Sequence, residues 1–316
     1  MQAMRIVVVM DPISTVLVDE DTSFAIMLAA QERGHRVDWC QERDLYLDGA
    51  TVSARVRPAT MSRTADPPVA LGEPEDVPLS EVDVVLVRKD PPFDDDYLWA
   101  SLMLEHARGG PLVVNDPRGL RAANEKLYAT YFADLMPATI VTSHKDRIKA
   151  FVKRVGGRGV IKPLSGKGGE SIFALTEGDP NVNSIIEAVT HEGRQVAMVQ
   201  EFLPAVSEGD KRILLLDGEY LGAILRVPRG GDLRSNIHVG GRVDAAELTE
   251  ADRQIIETVA PRLRQDGLFF VGLDVIGGKL TEVNVTSPTG IQQASRLMGE
   301  DLEGRVIEWL EQKRSI

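Results

Sequence analysis

Cysteine is nearly absent. Cys40 stands alone among 316 residues, so no internal disulfide can form. It falls in the strand-like segment HRVDWCQ, where it is expected to pack as a small apolar side chain rather than react. Long apolar runs are missing too. The early stretch MRIVVVMDP holds about six apolar residues, a strand's length rather than a secretory segment's. Nothing approaches the roughly 18 apolar residues of a membrane helix, and a cytoplasmic protein is expected. Positive charge is in deficit, with 36 Lys and Arg against 48 Asp and Glu, a net charge of −12. That field disfavours nucleic acid or an anionic membrane as the main partner. A local cluster of lysines and arginines still admits an anionic substrate. Internal repeats, low-complexity tracts and a GxxxxGK[ST] phosphate loop are also lacking. What is present, 43% hydrophobic and 27% charged residues, suits an ordinary soluble protein of two or three domains, and its α/β class rests on the order of elements along the chain.

The chain opens as a βαβ unit. MRIVVVM (4–10) reads as a buried parallel strand, SFAIMLAAQERG as a helix started by the polar cluster 19–23 and closed at Gly34, and HRVDWC as the returning strand. Such a unit begins a doubly wound, Rossmann-like parallel sheet. Residues 48–80 read as an irregular or hairpin insertion. VDVVLVR (82–88) and LVVN (112–115) add strands, and Asp11, Arg88 and Lys89 fall at strand carboxyl ends, where ligands gather in such sheets. One helix is expected over 118–135, at a change of domain. A βαβ-like layout follows, with a Gly-rich turn between GVIKP and SIFAL. From residue 210 strands dominate, with Asp217-Gly218 as a hairpin turn. The segment 228–242 has four glycines and no periodicity, the mark of a mobile loop. Helices are expected at 249–266 and 299–314.

The segment LFFVGLDVIGGKLTEVNVTSPTG (268–290) carries the sharpest chemical signal. Glu282 and Asn284 are two apart on a strand and share a face. Asp274 joins them only if the hairpin loop holds an odd number of residues, as a three-residue loop at 277–279 would. Buried bare, these groups are costly, and a hard cation such as Mg²⁺ would compensate them. A solvated polar face is the competing reading. SGKGGES (165–171) lets successive backbone N–H groups converge on an anion, although by itself a Gly-rich turn is weak evidence and a plain hairpin turn is the favoured reading. Lys162 interrupts an apolar strand and Lys126 lies on a helix. Together with the Gly-rich turn and the acidic cluster they resemble an ATP site, with lysines as point charges on phosphates. VQEFLP (199–204) is either an adenine-edge strand or a linker. Arg226 in AILRVP needs an anionic partner, Glu282 or a substrate phosphate.

Nearly the whole chain resembles the bacterial glutathione synthetases of the ATP-grasp superfamily. The resemblance rests on VVMDPI (8–13), DTSFAIMLAAQERG (21–34), VRKDPPFD (87–94), NEKLYATYF (124–132), IKPLSGKGGESIF (161–173), EGDKRILLLDGE (208–219), RVPRGGDLRSNIHVGGR (226–242) and GLDVIGGKLTEVNVTSPTGI (272–291). It implies an ATP-grasp fold divided as an N-terminal substrate domain (1–122), a central lid domain (123–203) and a C-terminal catalytic domain (204–316). It implies ATP-dependent ligation of γ-glutamylcysteine to glycine through an acylphosphate, with ATP and Mg²⁺, or Mn²⁺ in its place, as cofactors.

By the same resemblance Asp274, Glu282 and Asn284 hold metal. ATP is contacted by Lys126, Lys162, Gly166, Gly168, Gly169, Gln200, Glu201, Phe202, Leu203, Asp210, Lys211 and Arg212. Arg226 and Lys162 act on the reacting groups, with Gly240 and Gly241. Asp11, Ser23, Arg88, Asn236, Ser287 and Thr289 contact substrate. Residues 165–171 and 228–241 match two flexible loops, and a homotetramer is the expected assembly. Two alternatives stay open: another ATP-grasp carboxylate–amine ligase of the D-alanine–D-alanine kind, which VRKDPPFD and MDPI disfavour, and an ATP-binding regulator without catalysis.

Overall fold

The structure, a computed structural model, describes residues 2–166, 170–228 and 242–314, and three sheets organise them. The first gathers β1 (Arg5–Met10), β2 (Arg36–Cys40), β3 (Leu45–Asp48), β4 (Thr51–Met61), β5 (Val69–Leu71), β6 (Glu75–Pro78), β7 (Val84–Arg88) and β8 (Leu112–Val114). Its centre, β2-β1-β7-β8, is parallel. These strands are apolar on both faces because helices cover both. Ile6, Val8 and Leu86 share a core with Phe24 and Met27 of α1 (Thr22–Glu32). Val7, Val9, Val85 and Val87 face the other way, toward Tyr97 and Leu104 of α2 (Asp95–Glu105). Asp21 caps α1, its side chain accepting from Phe24 N at 2.7 Å. The insertion at 48–80 is ordered. β4 pairs antiparallel with β2, β3, β5 and β6 and widens the sheet.

The single helix expected over 118–135 is broken. α3 (Pro117–Ala122) ends before Ala123, which has a non-helical ψ of 84°. α4 (Glu125–Ala129) then restarts under a cap by Asn124, whose side chain accepts from Lys126 N and Leu127 N, and 3-10 turns follow to Leu135. The capping asparagine competes with helix continuation, so an unbroken periodic run becomes two short helices.

The second sheet holds β9 (Thr139–Thr142), β10 (Arg158–Pro163), β11 (Phe173–Thr176) and β12 (Ala197–Glu201) in the order β11-β10-β12-β9. Its pairs are all antiparallel among the described residues, so the expected βαβ-like layout takes a split form in which β12 separates β9 from β10. α5 (Lys145–Arg154) and α6 (Val182–Val189) cover one face through Ile148, Phe151 and Ile186 against Ile161 and Val199. Lys162, Met198 and Gln200 share the other face.

The third sheet runs β15-β14-β13-β16-β17, from β13 (Asp210–Leu216), β14 (Glu219–Val227), β15 (Arg242–Ala245), β16 (Phe270–Ile276) and β17 (Lys279–Asn284). α7 (Glu250–Gln265) packs on one face, while α8 (Ile291–Met298) and α9 (Leu302–Arg314) pack on the other and against α1. α8 was not expected. Gly290 at φ +112° starts it and Gly299 at φ +69° ends it, so the expected helix at 299–314 is the second of a pair.

Candidate functional site

One face of the third sheet ends in a charged row that spans four strands. Register sets Asp210 opposite Arg226, Arg212 opposite Asp274, Asp274 opposite Glu282 and Gly272 opposite Asn284. Asp274, Glu282 and Asn284 therefore share a face. The expected three-residue hairpin loop is not what aligns them. The turn has two residues, Gly277 and Gly278 at φ +56° and +74°, a conformation that favours glycine. A bulge at Thr281 restores the odd count between Val275↔Leu280 and Asp274↔Glu282, and Thr281 Oγ1 donates to Asp274 O at 3.0 Å.

The ion pairs in this row are dense. Arg212 holds Asp274 with both arms, Nε at 2.5 Å and Nη2 at 3.1 Å, and Nη1 reaches Thr289 O at 3.3 Å. Arg226 Nη2 lies 2.6 Å from Asp210 Oδ2 and 3.0 Å from Asp274 Oδ1. Its protein partners are therefore Asp210 and Asp274, not Glu282, because β13 and β16 stand between β14 and β17. Burial opposes ionisation of Asp274, but the two guanidiniums outweigh it and hold the carboxyl well below its usual range. Burial pushes Asp210 up, to about 6, against the pull of Arg226. Burial disfavours the Arg226 charge as well, but the facing carboxylates win and raise it above the usual arginine value.

Two lysines face this row across the gap between sheets. Lys162 Nζ is 3.5 Å from Glu282 Oε1 and Lys126 Nζ is 3.9 Å from it. Both lysines are buried. Lys126 Nζ also reaches Gly166 O at 3.5 Å, at the start of the Gly-rich turn. Gln200 lies on the lysine's face of the second sheet and donates to Thr139 Oγ1 at 3.3 Å. Past it, Glu201 N and Phe202 N already donate to Ala138 O and Arg158 O, Leu203 O accepts from Val206 N, and Arg158 stacks 3.6 Å over the Phe202 ring. Lys211 stands apart. Strand alternation turns it to the opposite face, where it pairs with Asp252 and donates to Glu247 O.

The first sheet supplies the remaining candidates. Arg88, at the end of β7, donates from Nε to Ser23 Oγ at 3.1 Å and from Nη2 to Pro288 O at 2.9 Å. Burial lowers its pKa to about 10. Asp11 accepts from Asp90 N at 2.8 Å and pairs with Lys89 at 3.0 Å. Ser287 and Thr289 are half-buried in the turn after β17. Gly168, Gly169, Asn236, Gly240, Gly241 and most of the 228–241 segment lie outside the described residues.

Among the described residues no group of three or more His, Cys, Asp or Glu side chains is arranged to hold a metal. The oxygen set here is instead two cross-strand carboxylates and an amide, which suits a hard cation that takes its remaining ligands from phosphate and water. Asp274 is held ionised and Glu282 has two ammonium groups within 4 Å. The residues fit Mg²⁺ accompanied by an anionic ligand.

Two residues that support the site left no periodic signal. Asn115 donates from Nδ2 to Phe270 O at 2.9 Å and Val285 O at 2.7 Å, and its Oδ1 accepts from Phe269 N and Phe270 N. Glu125 Oε1 accepts from Val285 N, Thr286 N and Thr286 Oγ1. The one local signal available was Asn124, a capping residue type just before Glu125, which the expectation of a single helix over 118–135 passed over.

Two family models match the chain. Residues 4–121 match the model for the prokaryotic glutathione synthetase N-terminal domain, and residues 125–299 match that for the prokaryotic glutathione synthetase ATP-grasp domain. A glutathione synthetase of Thermosynechococcus vestitus is 48% identical over 317 residues, covering 97% of this chain and 99% of the relative. One of Shewanella oneidensis is 45% identical over 306 residues, covering 96% and 97%. Among solved structures, the D-cycloserine synthetase DcsG superposes with a TM-score of 0.65 at 15% identity over 96% of this chain and 99% of that one. A RimK-domain ATP-grasp protein of Sphaerobacter thermophilus gives 0.63 at 18% identity over 96% and 98%. The ATP-grasp ligase PsnB, solved with a precursor variant, Mg and ADP, gives 0.63 at 15% over 100% and 99%. The fold is ATP-grasp.

Proposed function

The chain belongs to the prokaryotic glutathione synthetase family, and we infer from this membership and from the charged row that its sheets clamp ATP between them for ligation. The activity is that of an ATP-dependent ligase joining γ-glutamylcysteine and glycine into glutathione. We place its work in three segments, 1–122, 123–203 and 204–316. The observation that carries the site reading is the meeting of Lys126 and Lys162 with Glu282, two strands of carboxylate and amide oxygen facing two buried ammonium groups.

In this reading the cysteinyl carboxylate of the dipeptide attacks the γ-phosphorus of ATP and ADP leaves. The glycine amine then attacks the acyl carbon of the acylphosphate, and phosphate departs with the carboxylate oxygen. Mg²⁺, or Mn²⁺ in its place, neutralises phosphate charge when bound at Asp274, Glu282 and Asn284. Lys126 and Lys162 hold the phosphates as point charges. Arg226 is oriented by Asp210 and Asp274 so that a guanidinium faces the reacting carboxylate and the oxyanion that follows. Arg212 fixes Asp274 and the 287–290 turn together. Arg88, tied to Ser23 and Pro288, gives the dipeptide a cationic anchor between first and third sheets. Most of the acceleration then comes from positioning and charge stabilisation. Cytoplasmic location and a homotetramer belong to the same reading.

ADP release tests it. The protein should release ADP with γ-glutamylcysteine plus glycine and not with either alone. Turnover with D-alanine pairs instead would move the chain to the D-alanine–D-alanine kind of ligase, and nucleotide binding without any turnover would make it a regulator.

A further inference from the structure

The first turn of α4 touches three parts of the site with three consecutive side chains. Asn124 Nδ2 donates to Leu164 O at 3.0 Å, at the base of the Gly-rich turn that follows β10. Glu125 Oε1 accepts from Val285 N at 3.1 Å, Thr286 N at 3.2 Å and Thr286 Oγ1 at 2.8 Å, immediately after Asn284 closes β17. Lys126 Nζ approaches Glu282 at 3.9 Å and Gly166 O at 3.5 Å. α4 also packs along β17. A five-residue helix has little stability of its own, so these contacts fix its place.

We propose that Glu125 is a positioning residue that clamps the end of β17 to α4 and so sets the spacing between the oxygens of Glu282 and Asn284 and the ammonium of Lys126. The proposal rests on the site reading above. A distance between a metal edge and a phosphate-holding lysine must be right to a fraction of an ångström, and supporting hydrogen bonds hold such distances. All three bonds end on one oxygen of Glu125, and all three donors are neutral. The role therefore needs an acceptor oxygen at that point and not a negative charge. Glutamine supplies the same oxygen on the same stem, whereas alanine strands three donors at the strand end.

The test is calorimetric titration of Mg²⁺ with a non-hydrolysable ATP analogue into the wild type, Glu125→Gln, Glu125→Ala and Thr286→Val, beside the thermal midpoint of each. Glu125→Ala should bind the analogue about tenfold more weakly, Thr286→Val about threefold more weakly, and Glu125→Gln within about threefold of wild type. Affinity within about twofold of wild type in Glu125→Ala, with only the midpoint lowered, would make the residue merely structural and overturn the proposal. Equal losses in Glu125→Gln and Glu125→Ala would overturn it too, by assigning the effect to charge. If Glu125→Ala does not fold, the other two variants decide, and unchanged affinity in Thr286→Val refutes the clamp. A wild type that binds no Mg²⁺–analogue is a different result: it removes the site reading itself.

Discussion

Replacing Arg226 with alanine separates two duties of one side chain. Its guanidinium is buried, 2.6 Å from Asp210 and 3.0 Å from Asp274. At an effective dielectric constant near 20, each contact has a gross attraction of about 6 kcal/mol, most of it offset by desolvation. What matters on substitution is the stranding of buried carboxylates, which costs about 3–5 kcal/mol when one partner of a buried pair is removed. At roughly 2 °C per kcal/mol for a chain of this size, the ligand-free thermal midpoint should fall by about 6–10 °C. Adding Asp210→Asn removes one stranded charge, so the double variant should be less destabilised than the sum of the singles, by about 0.5–3 kcal/mol. Turnover should fall about 10²-fold or more, the scale for losing one transition-state donor, while ATP affinity changes far less because the lysines remain. Calorimetric scans and steady-state kinetics on the four proteins read both effects. A midpoint unmoved within 1 °C of wild type (~0.5 kcal/mol) would refute the buried-pair argument. Loss of ATP binding with turnover kept at saturation would make Arg226 a ground-state nucleotide contact.

Other substitutions probe separate parts of the account. Glu282→Gln should leave the fold intact, raise the Mg²⁺ concentration needed for half-maximal rate and cut turnover about 10²-fold; wild-type rate at limiting Mg²⁺ removes the metal assignment. Lys162→Met should raise KM for ATP about tenfold or more, because a point charge on phosphate is lost; an unchanged KM returns Lys162 to a structural pairing with Glu282. Asn115→Ala strands four backbone groups at the start of β16 and just past the end of β17, and should destabilise by about 2–4 kcal/mol in thermal scans; a shift under 1 °C shows that water replaces the amide. Gly119→Ala sets a Cβ 2.1 Å from Asp266 O and should cost about 1–3 kcal/mol by forcing α3 off α7; neutral stability refutes that close approach.

Much of the fold was legible because apolar strands and amphipathic helices declare themselves by period. The doubly wound first sheet and the 249–266 helix are such cases, while the Asp217-Gly218 turn was legible from residue types that tolerate its positive φ angles. The 118–135 run failed where a capping asparagine overrode helical period, and α8 was missed because its boundaries depend on two glycines in left-handed conformations. At the site, Asp274, Glu282 and Asn284 share the expected face, but by a bulge that no spacing rule announces. Arg226 needed an anionic partner, as its apolar strand implied. Which anion it meets depends on strand order, a tertiary fact. Asn115 and Glu125 act through hydrogen bonds to backbone more than 100 residues away, and no local pattern encodes them.

Every residue role given above serves one step, phosphorylation of the cysteinyl carboxylate at this row of charges. Positional isotope transfer tests it most directly. With γ-glutamylcysteine labelled by ¹⁸O in its cysteinyl carboxylate, together with ATP and glycine, each phosphate released should carry one ¹⁸O from the dipeptide. Glutathione formed alongside wholly unlabelled phosphate would contradict the account.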